Sequence, residues 1–244
     1  MESNKSIIKK LRDDNEYYNG IGNKYLSNSN IEVLRKNPKE YGLPQDKTVP
    51  MLLGNYIHEL TFFGKSDVKS VEASNRNTKI YKEAAEEHGM MLLSREVEMA
   101  NKLVETIRGI EGASQLFDKK NKYEEPMIKD LFGNGIMWKG KADIINPTYN
   151  KIIDLKTTSN IDSFAQKARL YNYDSQAWIY KELFGMELTF FVVEKGSYRC
   201  KIVEVSEETL LKGRDKALEA ETNYIDMHLK KTSDPNQFVE YGII

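Results

Sequence analysis

Cysteine is nearly absent from the sequence: Cys200 is the single one among 244 residues. One cysteine excludes a disulfide within the chain, a zinc site built from several thiolates, and an iron–sulfur cluster held by one chain. Histidine is scarce as well, with three copies. A metal bound by this chain must therefore use oxygen and histidine ligands.

Long apolar runs and a strong net charge are also missing. No apolar stretch approaches the roughly 20 residues that span a bilayer, and the start MESNKSIIKKLRDDNEYY lacks the apolar core of a secretory signal. We therefore expect a cytoplasmic protein without membrane contact. The formal net charge of -1 gives no general attraction to polyanions, so a DNA-binding surface would have to be local.

The residues that are present are typical of a folded domain. Hydrophobic residues make up 40% of the chain and charged residues 30%, which provides both a core and a well-solvated surface. We predict a single domain over residues 1–244. Its mainly helical part would occupy 1–115, the sheet and catalytic core 116–205, and a C-terminal helix and tail 206–244.

Hydrophobic spacing and turn residues divide the chain into helices and strands. In the helical first third, Pro50 suits the start of a helix and Gly64 its end. Alternating and β-branched residues then predict strands in PMIKDLF, GIMWKGKADII and NKIIDLKTT. One helix ending at Gly185, two more strands and a long helix capped by Ser206 follow. This order predicts an α/β fold in which helices flank a central sheet.

Two acidic residues lie on neighbouring predicted strands. Asp143 ends GKAD and Asp154 lies in KIIDLK, so their carboxylates converge if these strands pair. Two hard oxygen ligands suit Mg²⁺, with Mn²⁺ as a substitute, and a shared cation would let both acids stay ionised. Lys156 would share a face with Asp154 and orient a metal-bound water for attack on a phosphodiester. The alternative is a solvated Asp and Lys on an exposed strand.

A histidine and a further acid are additional ligand candidates. Gly54 lies one helical turn before His58 and would leave space beside the imidazole. A helical histidine without such context is more often a packing or surface residue. Glu124 and Glu125 precede the GKAD strand. One of them would supply a third carboxylate while the other points away, because adjacent residues of an extended chain face opposite sides.

Candidate DNA contacts follow the catalytic strand. Gln176 and Tyr180 lie four residues apart on one helix face and would offer an amide and a phenol to a phosphate or base. Between residues 139 and 173, six basic residues outnumber three acidic ones, which is compatible with a phosphate groove. Ordinary helix packing and a solvated helix face are the alternatives. The charged and aromatic candidates of this groove are Lys167, Arg169, Tyr171 and Tyr173.

Five motifs occur in order along the chain: GNYIH, an acid in YEEP, GKAD, IIDLKT and QAWIY. Together they resemble the PD-(D/E)XK nuclease superfamily, in the branch with a helical histidine and a glutamine–tyrosine motif that includes RecB-type nucleases. The resemblance is strongest to phage and prophage exonucleases of the RecE (exonuclease VIII) type, and it extends to the flanking segments. It implies a restriction-endonuclease-like core with a mixed β-sheet flanked by helices and a helical N-terminal region.

The resemblance also implies roles for individual residues. Glu124 would be an additional catalytic acid that also serves as a ligand, because a proline follows two positions later, and Glu125 is the alternative. Lys156 would be the catalytic lysine, and Gln176 and Tyr180 would contact the DNA strand. The implied metal ligands, two of which are also catalytic acids, are His58, Asp143, Asp154 and the backbone carbonyl of Leu155.

The reaction implied by the resemblance is Mg²⁺-dependent hydrolysis of duplex DNA from an end, in the 5′ to 3′ direction, leaving a 3′ single strand for recombination. Family members form toroidal homo-oligomers around DNA, so we expect a trimer or tetramer, a single-strand annealing partner, and a phage or prophage protein in a bacterial host. Two other functions remain open. They are an endonuclease or a repair or defence nuclease on the same core, and a DNA-end-binding module without turnover.

Overall fold

The computed structural model describes residues 3–44 and 47–231. The end of the predicted C-terminal tail, from residue 232 onward, lies outside the described residues. Within them, the α-helices are α1 (Asn4–Lys10), α2 (Asp14–Tyr18), α3 (Ile31–Lys36), α4 (Val49–Phe63), α5 (Lys79–His88), α6 (Ser94–Arg108), α7 (Phe164–Leu170), α8 (Tyr173–Phe184) and α9 (Glu207–Tyr224). Four short 3-10 segments lie at Ile21–Lys24, Asn28–Asn30, Pro38–Glu40 and Glu111–Phe117, and a π-helical turn at Ile225–Leu229 continues α9.

The strands of the described ranges form two sheets. Their bounds are β1 (Ser70–Val71), β2 (Leu92–Leu93), β3 (Lys122–Asp130), β4 (Met137–Asn146), β5 (Lys151–Thr158), β6 (Glu187–Glu194) and β7 (Cys200–Glu204). The main sheet has the order β3-β4-β5-β6-β7, in which β5 and β6 are parallel and the other neighbours antiparallel. The small sheet is a parallel pair of β1 and β2. The main sheet is therefore mixed and flanked by helices, as the sequence predicted.

The central strand β5 separates two apolar cores. Ile152 packs in the core that contains residues of α3, α8 and α9, whereas Ile153 and Leu155 pack in the core that contains residues of α4 and α6. This is the alternation expected of a strand covered on both faces. It puts Asp154 and Lys156 on the face covered by α8 and leaves Leu155 facing α4.

Helix α4 begins and ends where the sequence predicted. The Thr48 hydroxyl accepts from the Met51 N–H, Pro50 lies in the first turn, and Gly64 follows the helix with φ of 73°. The helix that we predicted to run without interruption to Gly185 is instead divided into α7 and α8. Asn172 causes the break because it adopts a left-handed conformation, with φ of 56° and ψ of 36°.

Strands β4 and β5 pair along only part of their length. Their ladder runs from Asn146 and Lys151 to Ile144 and Ile153 and stops there, while β4 continues its pairing with β3. The sheet therefore opens between the two strands just beyond Ile144. Asp143 and Asp154 follow directly at this opening. Among the helices described, none has the length and apolarity that crossing a bilayer would require.

Candidate active site

Asp143 and Asp154 flank the point where β4 and β5 separate. The register would place them opposite one another after Ile144 and Ile153, but the ladder has already ended. Asp143 Oδ2 instead accepts a hydrogen bond from the backbone N–H of Leu155 at 3.0 Å. The diverging strands thus bring two carboxylates to one opening in the sheet.

The β3–β4 pair is irregular at its acids. The ladder pairs the residues on either side but leaves Glu124 and Asp143 unpaired. Glu124 has φ of 53°, a left-handed conformation that costs about 1–3 kcal/mol in a residue other than glycine. Ala142 packs with α8, yet Ile144, two residues later, packs on the α4 side, whereas a regular strand would keep them on one face. Because of this irregularity, the side chains of Glu124 and Asp143 do not follow the regular alternation between the two faces of the sheet.

His58 completes a cluster with these two acids. One ligand atom each from His58, Glu124 and Asp143 lie within 4.8 Å of one another. His58 Nε2 lies 2.7 Å from the carbonyl oxygen of Leu155, and its Nδ1 lies 3.4 Å from Asp143 Oδ2. A carbonyl oxygen only accepts, so Nε2 carries a hydrogen, and Nδ1 would offer a lone pair to a metal ion whenever the ring is neutral. We call His58, Glu124 and Asp143 the acidic half of the site.

The acidic half disfavours two negative charges. Burial and then the neighbouring Asp143 carboxylate raise the pKa of Glu124 to about 8. Burial and then the Asp154 carboxylate raise the pKa of Asp143 to about 6, although His58 and Lys156 oppose this shift. Both shifts follow from carboxylates that share a poorly solvated space. A cation between the two carboxylates would lower both pKa values again.

The donor set of the acidic half fits a divalent metal ion. Carboxylate oxygens are the ligands that Mg²⁺ and Mn²⁺ prefer, and an imidazole lone pair is compatible with Mn²⁺ and other transition metals. The raised pKa values indicate that positive charge would stabilise this position. His58, Glu124 and Asp143 are therefore the residues that would hold the ion, and the Leu155 carbonyl lies against the same imidazole.

The second half of the site is internally compensated. Asp154, with 1% of its surface exposed, accepts a hydrogen bond on Oδ1 from Gln176 Nε2 at 2.6 Å. Its Oδ2 lies 2.7 Å from the ammonium of Lys156. Among the described residues, the cluster of potential ligand atoms contains His58, Glu124 and Asp143, and Asp154 lies beside it. Metal binding by Asp154 and by the Leu155 carbonyl stays a prediction. We call Asp154, Lys156 and Gln176 the paired half of the site.

Lys156 is held as a cation. Burial alone would lower its pKa, but the carboxylates of Asp154 and Asp143 outweigh burial and raise the pKa above its ordinary value. The ammonium also lies 4.7 Å from the centroid of the Tyr173 ring, a cation–π contact. Lys156 is thus suited to donating hydrogen bonds and stabilising negative charge rather than to removing a proton.

Gln176 and Tyr180 are buried and bond to the protein. Gln176 holds Asp154, and the Tyr180 hydroxyl donates to the carbonyl of Lys141 at 3.0 Å. Gly140 of the GKAD motif permits this close approach of α8, because a Cβ there would meet Leu183 and Tyr180 at 2.7 and 2.9 Å. These contacts position β4 and β5. A direct contact of either side chain with DNA stays a prediction.

The remaining candidates lie around this centre. Glu125 pairs with Arg12 at 2.8 Å, so Glu124 is the acid of this pair that joins the cluster. Lys167 and Arg169 lie in the last turn of α7, and Arg169 is exposed. Tyr173 lies against Lys156. Roles of these residues in DNA binding stay predictions.

Two of the six basic residues counted for the predicted phosphate groove, Lys139 and Lys141, are not available to it. Lys139 and Lys141 are buried, and their ammonium groups lie 4.2 and 4.5 Å from the centroid of the Tyr17 ring. Lys139 also donates to the Tyr17 carbonyl, and Lys141 pairs with Asp14 at 2.6 Å. They attach α2 to the sheet and do not line an exposed groove. Their spacing of two residues in a strand could have indicated this, because it places both lysines on one face, which a helix can cover.

Comparison with known proteins gives a family and a fold. A family described as a PDDEXK-like domain of unknown function (DUF3799) matches residues 23–240. A solved protein from Eubacterium rectale, provisionally described as an exonuclease, is 19% identical, with a TM-score of 0.63 over 93% of this chain and 87% of its own. A phage-related exonuclease from Haemophilus somnus 129PT is 17% identical, with a TM-score of 0.38 over 86% of this chain and 96% of its own. No curated protein gives a significant match.

These similarities confirm two predictions made from the sequence. The Eubacterium rectale structure, at 19% identity, supports the fold: a mixed sheet flanked by helices. The family match spans most of the described residues and includes all five motifs, from GNYIH to QAWIY. The chain belongs to the family of PDDEXK-like domains.

Proposed function

We propose that the protein is a metal-dependent exodeoxyribonuclease that degrades duplex DNA from its ends, 5′ to 3′, and leaves 3′ single strands. The observation that carries this proposal is the acidic half of the site, His58, Glu124 and Asp143, beside the buried pair of Asp154 and Lys156. Membership of a PDDEXK-like family supports phosphodiester hydrolysis. The direction of degradation and the role in recombination rest on the resemblance to RecE-type exonucleases.

The two halves of the site have complementary roles in this reaction. Mg²⁺ or Mn²⁺ in the acidic half would activate a water molecule and neutralise charge on the phosphate. Lys156 donates to the attacking oxygen or the phosphate and stabilises the negative charge that develops there. Gln176 fixes the orientation of Asp154, and through Asp154 that of Lys156. His58 connects the acidic half to β5 through its contacts with Asp143 and with the carbonyl of Leu155, the residue between Asp154 and Lys156.

Assembly and partners form part of the same proposal. A net charge of -1 provides little electrostatic retention on DNA. A toroidal trimer or tetramer around the duplex would supply retention through topology instead. The 3′ strand that the reaction leaves would suit a single-strand annealing protein, in the cytoplasm of a bacterial host of a phage or prophage. We also propose that the chain is a single domain.

Digestion of linear duplex DNA tests the proposed function. The substrate carries distinct labels at its 5′ and 3′ ends and is incubated with Mg²⁺ or with EDTA, beside a closed-circular duplex. We expect early release of the 5′ label as mononucleotides, retention of the 3′ label, and no action on circles or in EDTA. Asp154→Ala should be inactive, whereas Asp162→Ala, which alters an exposed acid paired with Arg199, should be active.

The other outcomes of this digestion identify the alternatives. Nicking of the closed circle would indicate an endonuclease, and early release of the 3′ label would reverse the proposed direction. Binding to DNA ends without hydrolysis under any divalent cation would favour the non-catalytic module. Asp154→Ala with the wild-type rate would contradict the catalytic assignment of the paired half.

A further inference from the structure

The last residue of α7 and the first residue of its connection to α8 expose adjacent large apolar side chains. Leu170 has 71% of its surface exposed and Tyr171 has 61%. A single exposed apolar residue is common on protein surfaces. The meaning of this pair depends on its rigidity, its surroundings and its distance from the site. We call these two residues the ledge.

Hydrogen bonds to the residues on either side of the ledge hold its backbone in place. Asn172, the next residue, is buried in its left-handed conformation. Its side-chain amide donates to Glu32 Oε2 at 3.1 Å and accepts from Lys216 Nζ at 3.0 Å. The same ammonium donates to the carbonyl of Arg169 at 2.9 Å, one residue before the ledge. Lys216 of α9 thus holds both sides of the exposed dipeptide, and Glu32 of α3 holds the side at Asn172.

The backbone of the connection is held as well. The carbonyl of Asn172 accepts from Asn28 Nδ2 at 3.2 Å and from the Ser175 hydroxyl at 2.9 Å. A left-handed asparagine costs free energy that the network offsets. A rigid surface presents aromatic area to a ligand without a large loss of conformational entropy on binding. The network therefore favours a binding role for the ledge over a merely solvated turn.

An aromatic contact path leads from the ledge to the site. The ring centroids of Tyr171 and Tyr173 are 5.9 Å apart, and the Tyr173 centroid lies 4.7 Å from the ammonium of Lys156. Successive nucleotides of a duplex strand are spaced by about 3.4 Å. The exposed ring of Tyr171 is therefore within a few nucleotides of a phosphate that contacts Lys156.

The charge around the ledge suits a nucleic acid. Lys167 and Arg169 occupy the last turn of the same helix, directly before Leu170. Aromatic rings beside basic side chains are typical of surfaces on which bases stack while the backbone lies against positive charge. A nucleobase fits this combination better than the apolar face of another protein would. A second copy of the chain is the competing occupant.

We propose that Tyr171 stacks on a nucleobase of the DNA strand in the active site, a few nucleotides from the phosphate that is cleaved, with Leu170 packing against the same nucleotide. This inference rests on the proposed function for the identity of the ligand. It assigns a base-stacking site that is independent of the metal ligands. Stacking of this kind tolerates any base sequence, as degradation from an end requires.

Binding of a labelled oligonucleotide tests the ledge without requiring cleavage. Fluorescence anisotropy is measured with Ca²⁺ in place of Mg²⁺, on oligonucleotides that carry one abasic nucleotide at successive positions. We expect Tyr171→Ala to weaken binding of the intact oligonucleotide about tenfold, and Tyr171→Phe and Tyr171→Trp to retain affinity. Tyr149→Ala is the matched control, since Tyr149 is 58% exposed in the turn between β4 and β5 and should bind like wild type.

The abasic series identifies the stacked base. One abasic position should weaken wild-type binding by a similar factor and have no further effect on Tyr171→Ala. Affinity of Tyr171→Ala equal to wild type would overturn the proposal, as would a loss that is the same at every abasic position. A change of oligomeric state in sedimentation, without dependence on the abasic position, would identify the ledge as a subunit interface and also overturn it.

The two proposals can fail separately. If wild-type protein degrades linear duplex while Tyr171→Ala binds and degrades it equally well, the ledge fails and the proposed function stands. If wild-type protein shows the position-dependent binding but hydrolyses no DNA with Mg²⁺ or Mn²⁺, the proposed function fails and the stacking site stands.

Discussion

The two halves of the site differ in how their charges are compensated. In the paired half, Asp154 is buried, yet Gln176 and Lys156 contact its two oxygens at 2.6 and 2.7 Å. In the acidic half, Glu124 and Asp143 lie together, and the pKa of each is raised by burial and by a neighbouring carboxylate. The protein thus compensates the charge of one half with its own Lys156, whereas the other half is short of positive charge.

This difference indicates which side chains lack a compensating charge of their own, and we expect an ion to be held first by those in the acidic half. A compensated carboxylate gains little from a further cation, whereas two acids that resist ionisation gain a great deal. The two halves also differ in backbone conformation. Glu124, in the acidic half, has a left-handed conformation, whereas Asp154, Lys156 and Gln176 do not. We therefore expect substitutions in the acidic half to affect metal binding first and substitutions in the paired half to affect chemistry and stability.

Asp143→Asn should have the largest effect on activity. The amide oxygen can still accept from the Leu155 N–H, but the acidic half loses a negative ligand. We expect DNA cleavage to fall about 10³-fold or more, which corresponds to about 4 kcal/mol of transition-state free energy. Single-turnover digestion with Mg²⁺ measures this, with Asp162→Asn as an exposed control. Activity within tenfold of wild type would exclude Asp143 as a required ligand.

Lys156→Ala should slow chemistry while metal binding is retained. We expect a rate reduced by about 10²–10³-fold and an Mn²⁺ affinity close to wild type in calorimetry. The variant should also be less stable towards urea by a few kcal/mol, because Asp154 loses the cation of a buried pair. Lys151→Ala, at the start of the same strand, breaks only the surface pair with Glu204 and should be nearly neutral. Loss of Mn²⁺ binding in Lys156→Ala would remove the distinction between the halves.

Glu124→Gln should change how stability depends on pH. In the folded protein the pKa of Glu124 is raised from 4.5 to about 8, so the folded state binds this proton more tightly than the unfolded state. The resulting stabilisation is fully present below about pH 4.5 and is lost as the pH rises towards about 8. Urea unfolding in EDTA should therefore show stability falling with pH in wild type and falling less in Glu124→Gln.

The neighbouring acid provides a matched control for this pH dependence. Glu125→Gln removes a carboxylate that pairs with Arg12 outside the cluster, so it should preserve the wild-type slope. Mg²⁺ should flatten the wild-type slope, since an ion would keep Glu124 ionised in the folded state. Identical slopes for wild type and Glu124→Gln would contradict the raised pKa.

Gly54→Ala should have the smallest effect of these substitutions, and it should make the protein more stable. Gly54 lies inside α4, one turn before His58, and a Cβ there would find no atom within 4 Å. Alanine should therefore stabilise the protein by about 0.5–1 kcal/mol in urea unfolding. If a DNA strand uses the open space beside the acidic half, the same variant should degrade DNA several-fold more slowly. Faster or unchanged degradation would show that the space is not used.

The parts of the fold that the sequence predicted are those governed by local periodicity. Alternation in KIIDLK put Asp154 and Lys156 on one face, and the structure agrees. Pro50 and Gly64 marked the ends of α4 because each has a backbone preference that acts locally. The order of strands and helices predicted a central sheet flanked by helices, and the resemblance to the nuclease superfamily predicted that the sheet is mixed.

The parts that were missed depend on contacts between distant residues. The break at Asn172 requires Glu32 and Lys216, which lie far away in the sequence. The spacing of the acids could not decide between Glu124 and Glu125, because the choice depends on an irregularity shared by β3 and β4. Only the resemblance favoured Glu124, which is the acid found in the cluster. The small pair of β1 and β2 consists of two residues each, too short for a periodic signal.

The most direct test of the central claim is the anomalous scattering of Mn²⁺ in crystals of the protein. We predict one strong anomalous peak in the acidic half, within bonding distance of His58, Glu124 and Asp143, and its loss in Asp143→Asn crystals grown under the same conditions. A peak elsewhere with none in the acidic half, or a peak unaffected by Asp143→Asn, would contradict the assignment of this half as the metal centre.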